Sequence, residues 1–520
     1  MLLRDIPKIN ARLFTDRVAL IDEIGNELTW NQFNTRVNSL SNALLGLGLR
    51  KGDRLAIICD NRHEFVEAFF AAIKIGVIPT AINYRFPFEH IAFLVNDCGA
   101  KTIFVENKYV QNVNYIRTKF KTIENFIGID TDHGYSHCFE TLIAGNKSNE
   151  PEVEIAEEDP SVLIYTSGTT GLPKGVLHSS RNMIHACLAE LTLYHFYPDD
   201  RVIITPPLYV AGIILTIATL FSGATAIIFN FKGQNFMEMV EKHKATVVTS
   251  MIPTRFHIIR EFLATSKKKY DVSTVRKMGV GPQYVSPEQL REMWEFFGRP
   301  ELNKAYLGTE FIIASGLLWH DIVSGLCEKA TEKEKKRLTS AGKGLVDNGI
   351  RIVDDNGQDL PPGKVGEILV SGSTTKDARY WNRPDLTQQK WRGGWCYTSD
   401  LGFFDENGYL YFAGRKDDLI RSGAFWVAPA HVESVLVGHP SVNECAVFGV
   451  PDKKWMEAVT AAISLREGRD VTEDEIKEHC RKYLAGYQVP KKIHIMEELP
   501  KDPGTRKILV REIKKLLGYG

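Results

Sequence analysis

The sequence has no excess of charge, no clustered cysteines and no long uninterrupted apolar run, and each absence removes a class of protein. Lysine plus arginine number 64 and aspartate plus glutamate 64, so the formal net charge is zero. A nucleic acid or an anionic membrane surface as the main partner would require a basic surplus. The eight cysteines, at 59, 98, 138, 187, 327, 396, 445 and 480, never fall into a C-x-x-C spacing. That disfavours a zinc site and a disulfide scaffold and fits a reducing cytoplasm. The N-terminal run Met1-Leu-Leu-Arg-Asp-Ile-Pro lacks the apolar core of a signal peptide. The most apolar region, Val202 to Phe229, is broken by Pro206, Pro207, Gly212 and Gly223. It is too interrupted for a membrane span and reads as buried core. What remains is an ordinary globular composition, 44% apolar and 25% charged, on 520 residues. That length suffices for about three domain equivalents.

One stretch carries chemistry by its composition: Tyr165-Thr-Ser-Gly-Thr-Thr-Gly-Leu-Pro-Lys174-Gly175. The apolar run Val162 to Tyr165 predicts a short buried strand that empties into a loop of glycines and hydroxyl residues. Glycines let backbone N–H groups turn inward on one anion, and hydroxyls and a lysine add donors. A triphosphate requires such a loop. The Walker spacing G-x-x-x-x-G-K-[ST] is absent. The stretch resembles the phosphate-loop signature of the adenylate-forming superfamily, which includes acyl-CoA synthetases, luciferases and peptide-synthetase adenylation domains.

Taken in order, strand and helix patterns alternate. A strand near 27 precedes a helix with Phe33, Val37, Leu40 and Leu44 on one face. Strands at 54–59, 76–82 and 102–105 are separated by helices at 64–74 and 87–97. The polar segment 131–158 is read as a connector. A second alternating block runs from Val202 to Thr249, with Phe236, Met239 and Val240 facing inward on a helix. Such alternation implies parallel sheets with helices on their faces, here two stacked α/β subdomains. Between 345 and 415, Asn-Gly turns separate short strands, which reads as an antiparallel, barrel-like subdomain. After Arg415 a smaller α+β unit remains, with strands at 445–449, 459–465 and 493–496, a helix near 473–484 and a basic tail. The expected layout is a large domain over 1–415, a hinge at 416–417 and a small lid domain over 418–520.

Further motifs match the superfamily in order. Tyr306-Leu-Gly-Thr309-Glu310 resembles Y-G-x-T-E, with the glycine one place late. The resemblance implies that Tyr306 stacks on adenine, Thr309 meets the α-phosphate and Glu310 binds Mg²⁺. A carboxylate beside a triphosphate is a sensible Mg²⁺ ligand. Tyr397-Thr-Ser-Asp400 resembles Y-[RK]-T-G-D, with Ser399 in place of glycine. Asp400 would hold the ribose hydroxyls, since a carboxylate accepts two such bonds. Gly414-Arg415-Lys-Asp417-Asp-Leu-Ile420 resembles G-R-x-D-D-x-I. By that likeness Arg415 also reaches the ribose and Asp417 is the hinge. Gly281 is placed with the nucleotide contacts. Gly423 begins a segment like G-x-x-V-x-P-x-E-[IV]-E, whose glycine lines the CoA pantetheine channel. His431 stands where that pattern has a glutamate and is assigned no role. Leu499-Pro-Lys501-Asp-Pro-Gly-Thr-Arg506-Lys507 resembles the terminal L-P-[KR]-T-x-x-G-K signature with one extra residue. Lys507 aligns with its catalytic lysine, and Arg506 and Lys501 are the alternatives.

The resemblance implies an AMP-forming acid–CoA ligase that uses ATP, Mg²⁺ and CoA. An acid is ionised near neutral pH, with a pKa of about 4 to 5 by analogy with glutamate, so its attack on the α-phosphorus needs no general base. Alignment and charge neutralisation suffice. Lys507, Glu310 and Thr166 are assigned to the chemistry, and Thr166, Ser167, Gly168, Thr169, Thr170 and Lys174 to the phosphates. Pro207-Leu-Tyr209-Val210-Ala-Gly212 resembles P-[LM]-[FY]-H-x-x-G without its histidine. By the family pattern Tyr209, Val210 and Gly212 belong to the acyl pocket. With Ile213 and Ile214 beyond, Val210 suggests an apolar wall and a medium-chain, branched or aromatic acid. No aspartate stands there to pair a substrate ammonium, which disfavours an amino acid. Two other readings stay open: an acyl-adenylate former that loads a carrier protein or stops at acyl-AMP, and a nucleotide-binding protein that has lost catalysis.

Overall fold

The computed structural model describes residues 1–131, 133–166, 173–281, 285–423, 425–501 and 508–519, with only the backbone at 417 and 426. Four sheets carry the architecture. The first has eight strands. At its centre Arg54–Ile58 lies between Ile78–Ala81 and Ala100–Val105, all parallel. Asn125–Gly128 and His137–Cys138 extend one side. Pro160–Tyr165 joins the other side in parallel, and Gly175–Ser179 folds back on it antiparallel. The helix His63–Lys74 packs with every residue buried, as a helix apolar nearly all round must. Its few polar groups are paired: Glu67 with Arg36 and His63, and Lys74 with Glu150.

The second sheet has nine strands in the order Lys343–Gly344, Ile312–Leu317, Glu301–Gly308, Lys277–Val280, Val247–Met251, Arg201–Ile204, Thr225–Ile228, Val18–Ile21 and Glu27–Thr29. The two N-terminal strands therefore close the second sheet, although they precede the first in the chain. Leu20 pairs with Ala226, and that register cannot be read from local pattern. The helix Trp30–Gly46 follows at once. Thr29 caps it by accepting from Gln32 N–H at 3.2 Å, and Phe33, Val37, Leu40 and Leu44 are all buried as their spacing predicts. Phe236, Met239 and Val240 likewise turn inward from Gly233–Lys242.

The stretch after 345 forms a five-stranded antiparallel sheet from Asn348–Val353, Gly366–Gly372, Trp391–Arg392, Trp395–Phe404 and Leu410–Arg415. The last sheet, of the small domain, begins at Ile420–Ser422, with the 3₁₀ turn Lys416–Asp418 between the two. Two readings of the sequence change. The segment after 131 is not wholly irregular, because Phe139–Ala144 is a helix whose Phe139 is fully buried against Phe104 at 5.8 Å. The polar run after it is held by hydrogen bonds: Lys74 Nζ donates to Glu150, Asn34 and Asn38 at 2.5–2.8 Å. The basic tail contains the helix Val510–Leu516, which buries Ile513 against Phe448 and Leu499. Among the described residues no helix is long and apolar enough to cross a membrane.

Phe139 is the one fully buried side chain of its short helix, so Phe139→Ala should destabilise the large domain by about 3–5 kcal/mol, measured as a lowered denaturant midpoint.

Candidate active site

The C-terminal ends of the strands in both large sheets open on one cleft of about 4200 Å³ that the small domain also lines. Crevices outside the carboxyl ends of parallel strands are where α/β folds take ligands. The phosphate-loop hairpin belongs to the first sheet. Tyr165 pairs with Gly175, Thr166 N–H donates to Lys174 O at 2.9 Å, and Lys174 N–H reaches Thr166 Oγ1 at 3.4 Å. These bonds close the base of the loop. Ser167, Gly168, Thr169 and Thr170 lie outside the described residues. Lys174 Nζ stands 5.7 Å from the centre of the Tyr380 ring.

Two contacts tie the hairpin to the Thr309-Glu310 segment. Tyr380, on a strand that pairs with Gly175–Ser179, donates its hydroxyl to Glu310 Oε1 at 2.8 Å. His178 Nε2 lies 2.8 Å from Thr309 O, and since a carbonyl only accepts, that nitrogen carries the proton. Burial pulls the His178 pKa down to about 4, so the ring is a neutral donor. The late glycine of the motif has a steric reason. A Cβ at Gly308 would come within 2.6 Å of the Phe311 ring. Among the described residues no group of three His, Cys, Asp or Glu could hold a metal ion. Glu310 alone still fits Mg²⁺, which prefers one or two carboxylates completed by phosphate oxygens and water over an all-protein cage.

Tyr306, Asp400 and Arg415 converge on one carboxylate. Asp400 accepts the Tyr306 hydroxyl on Oδ2 at 2.6 Å and Arg415 Nε on Oδ1 at 3.0 Å. Burial raises the Asp400 pKa above the usual carboxylate value, while Tyr306 and Arg415 pull against it. Burial likewise opposes the charge of Arg415, but Asp400 outweighs it and holds the guanidinium pKa up. A carboxylate has about four lone-pair sites, so two acceptor directions remain for ribose hydroxyls. Ser399 occupies the left-handed region at φ +65°, which explains why a glycine suits this position.

In the segment expected to form the acyl pocket, Val210 and Ala211 line the cleft within a π-helical turn, Leu208–Gly212. Tyr209 is buried edge-on to Tyr84 at 5.1 Å. Gly212 is needed for close approach, because a Cβ there would lie 2.5 Å from Pro206 O. Ile213 turns into the core instead of extending the wall. Asn61 clamps the turn: its Nδ2 donates to Pro206 O and Phe229 O, and its Oδ1 accepts from Leu208 N–H at 2.8 Å. Gly281, at φ +110°, lines the same cleft and accepts the Ser250 hydroxyl at 2.9 Å.

The small domain places Gly423 in the hairpin between Ile420–Ser422 and Phe425–Val427, at φ +65°, with its N–H on Trp455 O at 2.6 Å. Asp417 lies in the linking 3₁₀ turn, described by backbone alone. Lys507 and Arg506 lie outside the described residues. Lys501 is committed elsewhere, to Glu444 at 2.7 Å, and Lys501 bridges Ile508 across the base of the loop. Motif reading missed His178, Tyr380 and Asn61, which act through backbone or through another side chain and carry no spacing signal of their own.

Asp400→Ala should raise the ATP KM by about 10- to 100-fold, matching the roughly 1.5–3 kcal/mol of a hydrogen bond to a charged group. Ser399→Gly, by contrast, should leave it unchanged and stabilise the protein by about 1 kcal/mol through relief of the left-handed backbone. Steady-state kinetics and thermal unfolding of both variants check this pair.

The chain is 29% identical over 487 residues to a long-chain-fatty-acid–CoA ligase of Mycobacterium tuberculosis, covering 93% of this chain and 92% of that protein. Its fold matches an anthranilate CoA ligase crystallised with anthranoyl-AMP, at TM-score 0.86 and 26% identity over 99% of this chain and 97% of the other. It also matches an amide bond synthetase from Marinactinospora thermotolerans, at TM-score 0.86 and 25% identity over 99% and 100%. Residues 8–377 match the AMP-binding enzyme family and residues 431–507 match that family's C-terminal domain, and the chain belongs to the AMP-binding enzymes.

Proposed function

We propose that the chain is an AMP-forming acid–CoA ligase. The observation that supports this most is the grouping of Tyr306, Asp400 and Arg415 on a cleft lined by both domains, with Glu310 among the charges acting on Arg415 and tied through Tyr380 to the strand that follows the phosphate loop. In the first half-reaction a carboxylate oxygen attacks the α-phosphorus of ATP and pyrophosphate leaves. Asp400 holds the ribose, the Thr166–Lys174 loop and Thr309 meet the phosphates, and Lys507 bridges the reacting groups. Mg²⁺, met by Glu310, would neutralise phosphate charge. In the second half-reaction the CoA sulfur attacks the acyl carbon, the C–O bond to the phosphate breaks and AMP leaves. The Gly423 hairpin lines the thiol's path, and the small domain over 418–520 turns on the large domain over 1–415 at residues 416–417, Asp417 included.

Val210 and Ala211 support an acid whose nearer portion is apolar, whether medium-chain, branched or aromatic. The eight free cysteines support a reducing, cytoplasmic setting. A second reading is an acyl-adenylate former that passes its acyl group to another acceptor, such as an amine or a carrier protein. The likeness to an amide bond synthetase favours it.

Pyrophosphate release from MgATP across a panel of acids, with and without CoA, separates these readings. Acid-dependent release with CoA thioester formation is expected. Lys507→Ala should lower the adenylation rate by about 10²- to 10³-fold, roughly 3–4 kcal/mol of barrier, while thioester formation from preformed acyl-AMP holds. Adenylation that survives this change would move the cation to Arg506. Turnover with an amine or carrier protein but not with CoA would establish the second reading.

A further inference from the structure

The acyl side of the cleft holds a charge that an apolar wall does not account for. Arg255 lies in the first turn of the helix Pro253–Thr265, just past the C-terminal end of the strand Val247–Met251. It lines the same cleft as Val210, Ala211, Ser250 and Gly281. Its guanidinium is fixed in place. Nη1 donates to Ser250 O at 2.7 Å, and Cζ stands 5.7 Å from the centre of the Phe231 ring. Ser250 is itself held at φ +48° and donates its hydroxyl to Gly281 O. Arg255 is thus tied through one residue to Gly281.

No carboxylate among the described residues forms an ion pair with Arg255, whereas Arg260 pairs with Glu292 and Arg276 with Asp200. Burial among Phe231, Ile252 and Phe256 pulls the Arg255 pKa down to about 10, with the Tyr209 phenol the one group acting against it. A guanidinium carries five N–H donors, and among the described residues the acceptor hydrogen-bonded to it is the Ser250 carbonyl. Removing such a charge from water without a counterion is costly, and buried charges are normally paired. A ligand that brings acceptor oxygens would offset this cost. The planar fork of an arginine matches a carboxylate with two parallel bonds.

We infer that Arg255 binds a second carboxylate at the far end of the acid, so that the preferred substrate is an acid with an apolar body and an anionic tail. This rests on the ligase reading and refines its substrate. The reacting carboxylate faces the nucleotide, the apolar body lies along Val210 and Ala211, and the tail carboxylate meets the unused N–H groups of Arg255. A phosphate of CoA would satisfy the same fork, so the test separates the two anions.

The test is ATP–pyrophosphate exchange by the full chain without CoA, using matched pairs of acids of equal length, straight-chain and aromatic, one ending in methyl and the other in carboxylate. The wild type should favour the diacid by about 100-fold in kcat/KM. Arg255→Leu should lose that preference, by a fall on the diacid and no fall on its partner, with the ATP KM unchanged. Arg255→Lys should retain part of it and serve as the control for folding, checked by thermal unfolding. Equal use of both acids by the wild type, or an equal fall on both in Arg255→Leu, would overturn the inference and leave the ligase reading intact. Unchanged exchange with a raised KM for CoA in the full reaction would assign Arg255 to a phosphate and also overturn it. Exchange with no acid at all would overturn both readings.

Discussion

The carboxylate of Asp400 is the point on which three parts of the structure meet. It sits on Trp395–Phe404, takes the Tyr306 hydroxyl from the edge region of the nine-stranded sheet, and takes Arg415 from the last strand before the small domain. A buried carboxylate without donors would cost several kcal/mol. With these two it joins the second sheet to the antiparallel sheet at the residue where the chain leaves the large domain. Lys416 continues the bracing through Asp355 and Glu367, so the turn Lys416–Asp418 starts from a fixed end. The carboxylate proposed to hold a ribose therefore also sets the position from which the small domain departs.

The phosphate side is fixed by a different means, neutral donors on backbone and side chain. His178 holds Thr309, Tyr380 holds Glu310, and both groups come from strands of the first sheet while Thr309 and Glu310 extend from the second. The brace crosses between the two sheets at the base of the phosphate loop. Because burial keeps His178 uncharged down to about pH 4, this link does not titrate near neutrality. The strand that supplies Tyr380 pairs with Gly175–Ser179 from about two hundred positions further along the chain, so the loop is set by contacts distant in sequence.

This distance separates what the sequence discloses from what it hides. Thr166, Lys174, Tyr306, Asp400 and Arg415 were legible because each sits in a short run whose residue types carry the chemistry. Helices with a clear apolar stripe, such as Trp30–Gly46, were legible because 3.6-residue periodicity is a local property. The strand Glu27–Thr29 is legible but its sheet is not, because its partner strands are set by tertiary pairing and not by neighbours in the chain. Phe139 was hidden in a polar stretch with no periodicity, although it packs into the main core of the large domain. Arg255 was hidden for the opposite reason. A single arginine in Ile252-Pro-Thr-Arg-Phe256 reads as a solvated charge until Phe231, from the segment after Thr225–Ile228, and Ser250, at the end of Val247–Met251, come against it. The left-handed backbone at Ser399 departs from what serine would predict, and such departures gather at functional sites.

The small domain's own sheet bears on the proposal that one lid serves two half-reactions. Its order runs Phe425–Val427, Ile420–Ser422, Met456–Leu465, Val442–Asp452. The Gly423 hairpin occupies one edge. Lys501 is held at the strand on the other edge, where Glu444 takes it, and Leu509 N–H donates to Pro500 O at 2.8 Å. Residues near both edges, Ile420 and Ala428 on one side and Glu444 and Lys501 on the other, line the one cleft. On the proposed two-step reading the two edges would be used in turn, with the turn Lys416–Asp418 as the proposed pivot. On this view the rigidity around Asp400 and the turn that follows it are complementary, since a rotation about Lys416–Asp418 leaves the nucleotide's contacts with the large domain undisturbed.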